Sequence, residues 1–154
     1  ILMKTIEEEI KQKKFPNIYI KTDVNLLYTC GWLQNDQTRF FKKYGLSMQQ
    51  YNVLRILRGN HPKPVMLSQI TARMIDKMSN ATRLVEKLKQ KELVTRELNE
   101  KSRRQVDICI TDKGLKLLAK IDDALNAQMP PAHYVNVTKD ELDQLNLILD
   151  KIRN

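Results

Sequence analysis

Cysteine is nearly absent from this chain. Its two cysteines, Cys30 and Cys109, are too few and too far apart to form a disulfide framework or a zinc knuckle. Glycine is scarce as well, and none of the four falls in a phosphate-cradling loop or dinucleotide fingerprint. The two histidines, His61 and His133, have no partners at metal-ligand spacing and stand beside no plausible nucleophile. No metal, no cofactor and no catalytic centre is therefore expected. Apolar runs stay well short of the ~20 residues of a membrane span, and no basic-then-apolar leader opens the chain. The expectation is a cytoplasmic protein without a membrane partner, natively starting at Met3.

Positive charge is what the chain has in excess. The 154 residues, enough for one domain with its own core, carry a net charge of +9. That balance favours a polyanionic partner such as nucleic acid. The excess is uneven: residues 63–105 hold eleven Lys/Arg against five Asp/Glu, whereas 106–137 and 138–154 each hold three against four.

Along the chain, the first 15 residues read as a frayed helix or loose arm. Residues 18–44 read as a long helix with Ile20, Val24, Leu27 and Tyr28 on one stripe, closed by Gly45. Ser47-Met48-Gln49-Gln50 is a capping box that opens a second helix ending at Gly59-Asn60. His61-Pro62-Lys63-Pro64 is a loop, and Ser68 is a candidate N-cap for a short helix. Residues 79–91 form the next helix: Ala81, Leu84, Val85 and Leu88 recur at core-facing spacing, while Asn80, Arg83 and Lys87 occupy the other face. Residues 93–96 and 106–110 pair as strands around a polar tip carrying Arg103-Arg104. Thr111 caps a further helix, which runs to Pro130-Pro131. Thr138-Lys139-Asp140-Glu141 opens the last helix, where Leu142, Leu145, Leu149 and Ile152 fall at spacings of 3, 4 and 3.

A helix with a polar, cationic face followed at once by a hairpin with paired arginines is the arrangement a winged helix requires. The helix fits a DNA major groove, and the arginines reach the minor groove or phosphates. The expected fold is mainly α with a small β-hairpin wing, a winged helix-turn-helix plus a helical dimerisation layer. Its divisions are 1–45 and 112–154 for dimerisation and 46–111 for DNA binding, in one compact domain.

The order of these elements and the local text resemble the MarR (multiple antibiotic resistance regulator) family over residues 20–152. The likeness is densest over Met78-Ser79-Asn80-Ala81-Thr82-Arg83-Leu84-Val85-Glu86-Lys87-Leu88 and over Arg103-Arg104-Gln105-Val106-Asp107-Ile108-Cys109-Ile110-Thr111-Asp112-Lys113-Gly114. It implies a homodimer on double-stranded DNA, with residues 68–74 and 79–91 as the helix-turn-helix and Arg104 as the wing-tip arginine. Two departures stand out. Ser102 occupies the position where the family places an aspartate bracing that arginine, and Glu92 stands where the family ends its recognition helix with glycine.

On this reading Asn80, Thr82 and Arg83 meet base edges, while Lys87, Lys101, Arg103 and Arg104 hold the backbone or minor groove, with Ser68 and Ser79 beside them. The resemblance further implies a small phenolic or lipophilic effector, for which Tyr28, Trp32, Phe41 and Tyr51 would line a crevice. Two alternatives remain. Cys30, close to Tyr28, could sense peroxide if exposed and acidic. The winged helix could also serve protein contacts without specific DNA binding, although such a face should carry apolar anchors rather than Asn80, Arg83 and Lys87.

Overall fold

The computed structural model describes residues 4–99 and 102–154, and the side chains of all of these except 103 and 104. Helices α1 (Ile6–Glu9), α2 (Ile18–Lys42) and α3 (Met48–Arg58) precede strand β1 (Val65–Met66) and helices α4 (Leu67–Arg73) and α5 (Ala81–Gln90). Strands β2 (Val94–Asn99) and β3 (Ser102–Ile110) then lead into α6 (Asp112–Asn126), a short 3-10 turn (Ala132–Tyr134) and α7 (Lys139–Arg153). The three strands form one antiparallel sheet in the order β1-β3-β2. No helix among the described residues is long and apolar enough to cross a membrane.

Caps set most of these boundaries. The Ser47, Thr111 and Thr138 side chains accept the N–H groups of Gln50, Gly114 and Glu141, as their sequence motifs predict. Of the two readings of the N-terminus, helix or loose arm, the structure has a helix of one turn. Thr5 and Glu8 close a capping box there, and Glu7 pairs with Lys21 of α2 at 2.7 Å. The cap of α4 differs from expectation. Its N-cap is Met66, whose N–H donates to Gln69 Oε1 at 3.0 Å, so Ser68 lies inside the first turn rather than capping it.

The core is built around α3. Val53, Leu54 and Leu57 pack with Ile70 of α4, Val85 and Leu88 of α5, Val65, Val94 and Ile108 of the sheet, and Leu118 and Ile121 of α6. Strand β1 falls between the segment read as a loop and the short helix after it. Two residues carry little periodicity, and they form a strand only because Val65 and Met66 pair with Ile108 and Asp107. The helix α7 buries no residue, and α2 buries only Phe41.

The end of α5 has the backbone conformation that favours the glycine Glu92 replaces. Glu92 adopts φ 60°, in the left-handed region. Its N–H bonds Lys89 O at 2.8 Å, and Leu93 N–H bonds Leu88 O at 3.0 Å, the paired bonds of a Schellman turn. Thr111 Oγ1–H donates to Glu92 O at 2.8 Å, and Lys113 pairs with the Glu92 carboxylate at 2.7 Å, holding that carboxyl below its ordinary range.

Candidate nucleic-acid interface

Helix α5 is pinned from one side only. Ala81, Val85 and Leu88 are buried, so the opposite face is held outward, with Thr82, Arg83, Lys87 and Lys89 exposed. Asn80 caps this helix, Oδ1 accepting the Arg83 N–H at 3.0 Å. Adenine reading through an asparagine uses both the carbonyl and the amide. Here the carbonyl already serves the helix end, and the amide Nδ2 has no partner among the described residues. A shallow hollow of about 310 Å³ lies at this end, lined by Gln49, Ser79, Asn80, Arg83, Leu84 and Lys87.

The turn before α5 is fastened rather than loose. Asp76 accepts the Met78 N–H at 3.0 Å and the Ser79 hydroxyl at 2.9 Å, and Ile75 N–H donates to Asn52 Oδ1 at 2.9 Å. The Ser79 hydroxyl and the Met78 N–H hold the Asp76 carboxyl below its ordinary range. Ser79 is half-buried and faces this turn, while Ser68 is exposed near the start of α4. The sequence places a turn here, at Asp76-Lys77-Met78 ahead of the helix that follows, and the structure has it there.

The wing is longer than expected. Strands cover most of residues 97–105, which sequence polarity assigns to a tip, and only residues 100 and 101 separate β2 from β3. Pairing runs in register from Val94↔Ile110 to Leu98↔Val106 and then jumps to Asn99↔Ser102. Residues 103–105 on β3 therefore have no counterpart on β2. They form a bulge, which takes Arg103 and Arg104 out of the ladder. Lys101, expected to contact phosphates, lies outside the described residues.

A different bracket stands where Ser102 departs from the resemblance. Asn99 Oδ1 accepts the Ser102 N–H at 3.1 Å, and Asn99 Nδ2 donates to Asp107 Oδ2 at 2.9 Å. The two residues are eight apart in sequence and meet only once the strands are in register, so no local motif reports them. Arg96 of β2 lies 3.6 Å from Glu86 of α5, tying the wing to the helix.

The aromatic residues expected around an effector fall into two pairs. Buried Phe41 stacks on Tyr51 with ring centroids 4.2 Å apart, and the Tyr51 hydroxyl accepts from Arg55 at 3.0 Å. Tyr28 and Trp32 lie about 13 Å or more up α2 from Phe41. The Tyr28 hydroxyl donates to Glu9 at 2.9 Å, which raises the phenol above its usual value, and Trp32 meets His133 edge-on at 5.3 Å. Cys30 is exposed on α2. Cys109 is half-buried, and burial, then Asp107 and Glu97, push its thiol up.

Comparison with known proteins agrees with this geometry. The MarR family profile matches residues 46–106, from the start of α3 to the middle of β3. The chain is 31% identical over 110 residues to the uncharacterized HTH-type transcriptional regulator YkoM of Bacillus subtilis, covering 71% of this chain and 70% of that protein. It is 29% identical over 114 residues to the HTH-type transcriptional regulator MgrA of Staphylococcus aureus, covering 74% of each. A crystal structure of a MarR transcription factor from Planctomyces limnophilus superposes with a TM-score of 0.67 at 30% identity, covering 89% of this chain and 98% of that one.

Proposed function

This chain belongs to the MarR family of DNA-binding transcriptional regulators, and we propose that it acts as a homodimeric repressor of a pseudo-palindromic operator. The observation that carries the reading is the outward face of α5, where Thr82, Arg83 and Lys87 are exposed on a helix whose other side is locked into the core. A rigid helix with that face suits the major groove, and the bulged arginines beside it suit the neighbouring minor groove. AbfR, alike in fold at a TM-score of 0.66 and 21% identity, has a structure bound to DNA.

Dimerisation is supported by the surfaces left over. Tyr19, Leu27 and Trp32 on α2 and Leu145, Leu147, Ile148 and Ile152 on α7 are exposed apolar side chains that one copy does not cover. Two recognition helices about one DNA turn apart require half-sites ~10 bp apart. Release by a small phenolic or lipophilic effector is the further part of the proposal. It is supported by exposed Tyr28 and Trp32 on that same helix. BpsR of Bordetella bronchiseptica is alike in fold, with a TM-score of 0.65 at 18% identity, and 6-hydroxynicotinic acid regulates its DNA binding.

The test is selection of bound duplexes from a random library at two salt concentrations, followed by titration of variants on the selected site. Arg83→Ala is expected to weaken that site by roughly 1–3 kcal/mol and to relax its sequence preference, while Lys87→Ala weakens specific and random DNA alike. Equal losses on both DNAs from Arg83→Ala would remove Arg83 from base reading. Binding that shows no shared sequence and vanishes as salt rises would reduce the interface to electrostatic adhesion.

A further inference from the structure

The turn leading into α5 displays two large apolar side chains, Met78 at 93% exposure and Ile75 at 81%. Single exposed apolar residues are ordinary on protein surfaces, so the exposure alone decides nothing. Two further observations give it meaning. The backbone beneath Met78 is held by Asp76, which accepts both the Met78 N–H and the Ser79 hydroxyl. The side chain is thus presented from a fixed point and is not a fraying end. Around it, the surface is polar and cationic: Asn80 and Arg83 lie within the next five residues, Lys87 one turn beyond, and Lys77 alongside.

That charge recruits a polyanion rather than an apolar peptide. A DNA major groove offers a protruding apolar group on one base only, the 5-methyl of thymine. Residues at the leading end of a recognition helix are the ones that meet base edges, and Met78 stands two positions before the Asn80 cap. Methionine is unbranched and polarizable, so its thioether can settle over a methyl group without a tight geometric demand. We propose that Met78 is a specificity-determining residue that reads a thymine methyl in each half-site. The proposal rests on α5 lying in the major groove.

Uracil substitution isolates the methyl. In the duplex selected from a random library, each thymine is replaced in turn by uracil, and wild type, Met78→Ala and Met78→Leu are titrated on every version. Wild type is expected to lose about fourfold per half-site at one thymine, the worth of one buried methyl group. Met78→Leu should keep that discrimination. Met78→Ala should bind the thymine and uracil duplexes equally, near the wild-type affinity for uracil, with an unchanged melting temperature. A wild-type protein indifferent to every uracil, or a Met78→Ala protein that still discriminates, overturns the proposal while leaving the groove reading intact. Equal weakening on all duplexes by Met78→Ala also overturns it, leaving Met78 as a backbone or partner contact. Selection that yields no shared sequence sinks the groove reading and the proposal together.

Discussion

At Glu92 sequence and backbone disagree. A side chain at φ 60° crowds its own carbonyl, a cost that glycine does not carry. What Glu92 gains in return is the 2.7 Å ion pair with Lys113. Because that partner lowers the carboxyl below its unfolded value, the pair's contribution is complete above the ordinary carboxylate range and fades as pH falls through it. Glu92→Gly should therefore raise the melting temperature by about 2–4 °C at acid pH, where the pair is weakened, and by less at neutral pH. Calorimetry at pH 3.5 and pH 7 checks this. A variant less stable than wild type at both would mean that the turn bonds depend on the side chain.

Gly114 makes the same kind of point for a whole element. A Cβ there would sit 2.5 Å from Leu93 O and 2.7 Å from Ile110 Cγ1, so α6 can start against the sheet only because the position is bare. Gly114→Ala should cost about 1–3 kcal/mol, read as a lower urea midpoint at unchanged slope. No change in midpoint would show that the helix can slide to make room. Elements defined by local chemistry were legible beforehand: the Ser47, Thr111 and Thr138 caps are sequence motifs, and the buried stripe of α5 follows from its spacing. The winged helix-turn-helix was legible as well, from the cationic helix and the strands beside it. Elements defined by distant partners were not. Strand β1 exists only through β3, the wing's true length depends on register, and the Asn99–Asp107 bracket joins residues that no short motif connects. Ser68 looked like a cap because serine commonly is one, yet the chain from β1 delivers Met66 to that position.

At the scale of the molecule, much of the exposed apolar surface lies on α2 and α7. The core seats α3 to α6, while α7 contributes nothing to it and leaves Leu145, Leu147, Ile148 and Ile152 largely in water. If a second copy covers that surface, Ile148→Asp should convert a dimer into a folded monomer and abolish high-affinity operator binding. Analytical ultracentrifugation beside a DNA titration measures both. A variant that remains dimeric with full affinity would move the interface elsewhere. Helices α3 and α6 also meet at a charged joint, where Arg58 and Arg55 share Asp122, Arg55 at 3.9 Å. The bulge at residues 103–105 has an effect on a different scale. Because the five pairs from Val94↔Ile110 to Leu98↔Val106 close without it, the ladder does not depend on those three residues. On the proposed reading, reach and cationic content at the tip can thus vary from one descendant of this chain to another while the sheet beneath keeps its register, which would separate the evolution of DNA preference from the maintenance of the fold.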